Sequence, residues 1–268
     1  ERMLEYCEQD VRLTRRVFLA LRERMVKRGF SETSCWIEHR IRVVIDKQER
    51  RGFNFDVRSA QRLQHRLRGL EAYYAAEIHE LFPPELAPVN TYEFRTLKDG
   101  SPTHHYTRHV DSYPQVTHSL DGTYTTWNYK EFNIGSPKQR VERLLSLGWE
   151  PKTFTPTGQP KVDEDSLVAF AEASGRRQIQ SIANWLVVNG RANMVTTWLN
   201  AVHEDGRIHG KVFSCGAITR RMRHNNPNTA NIPGNEARFG HACRSLWCAS
   251  PGRVLVGYDA AALEMRMF

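Results

Sequence analysis

The sequence predicts an α+β fold dominated by helices: a body of long helices carrying a β-rich insertion, followed by the start of a mixed α/β region. Three observations predict it. Apolar residues recur at intervals of three and four between Ala60 and Leu81, and are available for packing from Ile179 to Leu199, as on helices with one buried face. Residues 83–131 change character, with Pro83-Pro84, Asp99-Gly100, Ser101-Pro102 and Asp121-Gly122 separating short runs rich in Thr, Tyr and His; these are hairpin and turn signals. After residue 205, short apolar runs at Val212-Phe213 and Val254-Leu255-Val256 read as strands.

The elements follow in order. Leu13, Val17 and Leu21 continue an apolar stripe along a first helix that Gly29 ends. A helix over 36–50 buries Ile37, Ile41, Val44 and Ile45 and stops at Gly52. Asp56 is a natural N-cap for about seven turns of amphipathic helix. Ala60, Leu63, Leu67, Leu70, Tyr74, Ile78 and Leu81 form its seam, with Arg58, Arg62, Arg66 and Arg68 outside.

In the insertion, His104, His105, His109 and His118 lack a Cys or carboxylate cluster, so exposed loop histidines are expected rather than a zinc site. Ser136-Pro137 supplies an N-cap and first-turn proline for a helix through Val141, Leu144 and Leu145, closed by Gly148. A hairpin-like stretch from Phe154 to Pro160 leads to Asp163-Glu164-Asp165, carboxylates that suit a helix entrance better than a catalytic role. A long helix from Arg176 to Val202 follows, with Gly190-Arg191 interrupting it.

Composition sets limits on function. At 268 residues the chain can hold one large or two ordinary domains, and 40% hydrophobic with 25% charged residues is ordinary globular usage. The formal charge of +8 favours a polyanionic partner. Five cysteines form no C-x-x-C pair, and their odd number points to a reducing, cytoplasmic compartment rather than a disulfide framework. No stretch approaches roughly 18 apolar residues, so neither a membrane span nor a signal peptide is expected. A first residue other than Met suits an internal piece of a longer protein.

Three segments carry chemistry. Val254 to Tyr258 is an apolar run delivering Asp259, with Glu264 five residues on and Arg266 two further. Alone, it reads equally as a core strand leading into a helix capped by Asp259. The second segment, Thr219 to Pro233, ends 26 residues before Asp259. Its Asn and Pro residues set turns, and its arginines can donate to acceptors that every base pair presents in the minor groove, sensing duplex shape without reading sequence. The third, Tyr6-Cys7-Glu8-Gln9-Asp10, puts Tyr6 and Asp10 on one helix face. There a phenol could orient a water while a carboxylate holds a metal, although a plain exposed helix end has the same pattern.

Together these segments resemble the family A, bacterial polymerase I type, DNA polymerases, and within them the replicative polymerases of short-tailed bacteriophages. Ile37-Glu38-His39-Arg40, Lys47 to Asp56, Leu147 to Pro151 and His203 to Gly210 add landmarks, so that the resemblance covers almost the whole chain apart from 83–131. It implies the end of a 3'-5' exonuclease domain at 1–30, a thumb at 31–205 containing the insertion, and the first part of a mixed α/β palm at 206–268.

It also implies template-directed nucleotidyl transfer assisted by two Mg2+ ions. Asp259 would bridge both ions as the catalytic carboxylate, the backbone carbonyl of Ala260 would complete one shell, and Glu264 would close the sugar pocket of the incoming nucleotide. Arg221, Asn228, Arg191 and Arg244 would contact DNA, while Tyr6 and Asp10 would be a remnant of the exonuclease site, Asp10 as a metal ligand. Two departures stand out: Arg220 replaces the usual Gly, and Ala230 stands where many members have Gln.

The implied partners are primer-template DNA and deoxynucleoside triphosphates, with a host processivity protein at 83–131 as a further possibility, although that segment does not visibly match the known insertion. Without fingers and a second palm carboxylate, the chain alone is expected to be inactive. A noncatalytic DNA-binding module derived from thumb and palm is the competing reading, and a single exonuclease motif makes a nuclease-only reading a distant third.

Overall fold

The computed structural model describes residues 2–219 and 221–267, without the side chains of Glu264 and Met267. The chain opens with helices α1 (Arg2–Lys27) and α2 (Glu32–Arg51), strand β1 (Phe53–Phe55) and the 25-residue helix α3 (Val57–Leu81). Next come β2 (Glu85–Glu93), α4 (His104–Ser112), β3 (Gln115–His118) and β4 (Thr123–Lys130), then helices α5 (Pro137–Ser146), α6 (Glu164–Ser174) and α7 (Arg177–Asn200). The last part holds β5 (Arg207–Ile208), β6 (Lys211–Phe213), β7 (Arg223–Asn225), α8 (Gly240–Arg244), β8 (Trp247–Cys248) and α9 (Leu263–Met267). Helices dominate a mixed α/β architecture, as the sequence predicts.

Local chemistry sets the helix ends. Ser31, Ser136 and Asp163 accept from the backbone N–H three residues on, at 3.2, 3.5 and 2.8 Å, the N-cap geometry that satisfies an otherwise orphan donor. Asp56 does the same for Ser59 at 3.0 Å. Gly52 ends α2 with φ 61°, and a Cβ there would lie 2.8 Å from the His209 ring and 2.9 Å from the Ile208 carbonyl. Both the backbone angle and the space therefore require glycine.

Two compact units divide the chain: Glu1–Gln61 with Val195–Phe268, and Arg62–Met194. In the second, Ile78, Leu144, Leu167, Ile179 and Ile182 are essentially inaccessible and pack with Phe132, Trp149 and Trp185. Burying each aliphatic side chain contributes about 1.5–3 kcal/mol. The same unit contains the antiparallel sheet β2-β4-β3, whose register shifts between Pro88 and Asn90. Proline has no N–H to give to a ladder.

In the first unit, β1 is the central strand of the antiparallel sheet β5-β1-β8, and β6 pairs with β7. Phe55, Trp198 and Trp247 form its aromatic centre, with ring centroids 5.2–6.3 Å apart and edge-on, the arrangement the ring quadrupoles favour.

Four expectations need correction. On α2 only Ile45 is buried, while Ile37 and Val44 are 49% and 64% exposed; periodicity marks an apolar face, but only a packing partner covers it. Gly190 does not interrupt α7, which runs continuously with Val188, Ala192 and Val195 inaccessible; glycine lowers helix propensity by only about 1 kcal/mol, and burial on both sides offsets that. His104, His105 and His109 lie on α4 rather than in a loop, because His105 and His109, one turn apart, pack on Tyr92 and Tyr124 of the sheet. Residues 254–258 form no strand, and Val256 is 87% exposed; among the described residues no ladder partner takes up their backbone N–H and C=O groups.

Candidate nucleic-acid interface

The β6–β7 ribbon and the loop after it carry two of the residues expected to contact DNA, Arg221 and Asn228, and a third, Arg244 of α8, donates to the loop. Val212 of β6 lies opposite His224 of β7. The Arg223 guanidinium sits 5.1 Å from the centre of the Phe213 ring, a cation–π contact across the ribbon. Arg221 is exposed just before β7, and its carbonyl accepts from the Ala217 N–H at 3.2 Å. Arg220 lies outside the described residues.

Beyond β7 the chain turns tightly. His224 Nδ1 meets Thr229 Oγ1 at 3.1 Å, Pro227 is buried, and Asn228 Oδ1 accepts from the Ala230 N–H at 3.0 Å, an Asx turn of the kind Asn favours. Gly210 lets this turn approach closely, since a Cβ there would lie 2.9 Å from the Pro227 carbonyl. The loop then passes Ile232 and Pro233, whose carbonyls accept from Arg244.

The ribbon is fixed from the side by α2. Glu49 Oε1 accepts from the Val212 N–H at 2.8 Å, and Arg42 Nη1 donates to the Val212 carbonyl at 3.0 Å. Arg42 also bridges to Glu49 Oε2 at 2.8 Å and to Asp46. The Val212 N–H and, after it, the Arg42 guanidinium hold the Glu49 carboxyl below the usual carboxylate range, against a desolvation that acts the other way. His209 adds a contact from Nδ1 to the Glu49 carbonyl at 2.7 Å, and its Nε2 meets Asp205 at 3.0 Å. Sequence reasoning missed this group. Its only signal was a pair of opposite charges seven residues apart, which two helical turns put on one face.

Asp259 is exposed, Ala260 is half-buried, and both lie in chain without ladder pairing. Because α9 begins at Leu263, Asp259 is not that helix's N-cap. The Glu264 side chain lies outside the described residues. Tyr6 and Asp10 are exposed on α1, a helix with no buried residues. Arg191 belongs to the second unit, where its side chain, 11% exposed, pairs with Glu164 at 2.8 Å.

Among the described residues no three of His, Cys, Asp and Glu are grouped so as to hold a metal ion. Asp259 and the Ala260 carbonyl, the metal donors expected from the sequence, do not make a magnesium site by themselves, since a hard cation needs about six oxygens. No described helix is long and apolar enough to cross a membrane.

Comparison with known proteins shows the family. The POL domain of Pol1 from M. smegmatis, in a complex with DNA primer-template and dNTP, superposes with a TM-score of 0.54 over 78% of this chain and 28% of that one, at 21% identity; the likeness is one of fold. The description "DNA polymerase family A" matches residues 106–268, and the chain belongs to that family. The DNA-directed DNA polymerases of Enterobacteria phage T3 and Escherichia phage T7 are each 28% identical over 322 residues, covering 99% of this chain and 45% of theirs. DNA polymerase I of Rhizobium leguminosarum is 25% identical over 270 residues, covering 100% of this chain and 22% of its own length. The chain therefore spans about half the length of the phage relatives it matches.

Proposed function

We propose that these residues are the thumb (31–205) and the first part of the palm (206–268) of a DNA-directed DNA polymerase, preceded by the end of a 3'-5' exonuclease domain (1–30). The observation that carries the reading is the ribbon and loop of 211–233, turned by its own hydrogen bonds and held by Arg244, with Arg221 exposed within it. A rigid basic ribbon can sense the shape of a duplex through minor-groove acceptors common to all base pairs.

Under this reading the whole protein works in the cytoplasm on primer-template DNA and deoxynucleoside triphosphates. Asp259, with the Ala260 carbonyl, would give one carboxylate to a magnesium pair, and Glu264 would meet the nucleotide sugar. Tyr6 and Asp10 would belong to a proofreading site. Asn228 would act through the turn it closes, and Arg191 would meet DNA only after leaving Glu164. The folded insertion at 83–131 becomes the first place to look for a processivity protein.

Fluorescence anisotropy of the purified chain on labelled primer-template DNA tests the reading. Binding should be independent of sequence and should weaken linearly on a log–log plot against salt, because neutralised phosphates release counterions. Absence of binding at low salt would overturn it.

A further inference from the structure

We propose that Arg42 and Glu49 of α2 are positioning residues for the ribbon that carries Arg221, an inference resting on the DNA-binding reading above. β6 and β7 are three residues each and form a two-stranded sheet of their own, and an isolated hairpin is marginally stable at best in water. Its outer edge is where orientation must be set. There the N–H and the carbonyl of a single residue, Val212, are both taken up by α2: Glu49 accepts from the first and Arg42 donates to the second.

The two side chains are locked to each other at 2.8 Å, and Asp46 holds Arg42 from one turn away. A planar guanidinium and a carboxylate thus present a donor and an acceptor to the strand edge, as a neighbouring strand would. Just upstream, the His209 contact with the Glu49 carbonyl ties the end of α2 to the segment entering β6. Glu49 is the more sheltered partner, 19% exposed against 43% for Arg42. The clamp touches no residue expected to meet DNA. It acts through the ribbon, so its loss should be felt through Arg221.

A double-mutant cycle on the full chain tests this, with affinity for labelled primer-template DNA as the readout. Glu49→Ala should weaken binding about fivefold, the equivalent of one net hydrogen bond, and should speed amide exchange at Val212 while the amide of the buried Trp198, in the same compact unit, stays protected. Arg221→Ala should cost less in the Glu49→Ala background than alone, since a misplaced ribbon has less contact to lose. Glu49→Gln, which keeps an oxygen for the Val212 N–H, should recover most of the loss.

Full independence of the two losses, or undiminished binding by Glu49→Ala where Arg221→Ala binds poorly, would overturn the positioning role alone. If Arg221→Ala binds normally, the ribbon's role in binding falls and the proposal falls with it. Should Glu49→Ala lose protection at Trp198 as well, Arg42→Lys carries the same cycle: it keeps the charge but lacks the fork, and coupling to Arg221 must still appear.

Discussion

Arg244 closes on the loop before it, donating from Nε to the Pro233 carbonyl at 2.7 Å and from Nη2 to the Ile232 carbonyl at 3.5 Å. A side chain expected from the sequence to meet DNA is thereby engaged in shaping the segment that follows the ribbon. The two roles separate in salt. Removing a direct phosphate contact lowers the log–log salt slope by about 0.9, whereas removing a brace lowers affinity and leaves the slope alone. Arg244→Ala should show the second pattern, together with a loss of about 1 kcal/mol in urea unfolding. A slope reduced by about one unit would assign Arg244 to the phosphate backbone.

Arg221 is exposed just before β7. If it senses duplex shape through the minor groove, Arg221→Ala should weaken binding to a duplex junction by about 1 kcal/mol or more. Binding to single strands should change little, because they present no groove. Parallel titrations of the two DNAs check this, and equal losses would argue against minor-groove docking.

The insertion should respond to acid. His105 Nδ1 and His109 Nδ1 both meet the Tyr124 hydroxyl, at 3.1 and 3.0 Å, and with a single O–H to give, the hydroxyl can donate to at most one of the two rings. Burial first, then His105 and Arg108, lower the His109 pKa, while Tyr92 and Tyr113 offer only ring contacts. A depressed histidine binds fewer protons folded than unfolded, so stability rises with pH between the lowered value and the ordinary one near about 6.5, and is lost as pH falls through that window. Thermal unfolding of the chain should show that slope, and His109→Gln should flatten it. An unchanged slope in the variant would assign the acid response to other groups.

What was legible in the sequence was what is decided within a few residues. Gly52, Ser136 and Asp163 mark helix ends by chemistry that reaches three or four positions, and the spacing of Leu67, Ile78 and Ile182 found the buried faces. Partners distant in sequence were not legible. Arg191 is set by Glu164, 27 residues away, and Glu49 by Val212, 163 away. Ile37, Val44 and the run Val254 to Val256 are apolar enough to be core yet exposed. The sequence records their need for cover, not its presence.

Asp163 tests the choice between a cap and a catalytic carboxylate. Its Oδ1 accepts from the Ser166 N–H at 2.8 Å and its Oδ2 from the Ser166 hydroxyl at 2.6 Å, with the hydroxyl the larger cause of its lowered pKa. Asp163→Ala should cost about 1 kcal/mol of stability and leave DNA affinity unchanged. Chemical denaturation and anisotropy measure the two; a large loss of affinity at intact stability would restore a functional role.

Asp259 carries the last prediction. The carboxylate is exposed, with the half-buried Ala260 next to it, and no metal-holding group of three acids, histidines or cysteines is present among the described residues. In-line phosphoryl transfer with two ions needs donors for both, and a single carboxylate cannot fix their spacing. A polypeptide of these 268 residues should therefore bind primer-template DNA yet extend the primer no faster than its own Asp259→Ala variant, with magnesium and all four nucleotides supplied. Extension above that control would mean that these residues assemble a working site, and would overturn the view of Asp259 as one part of a larger one.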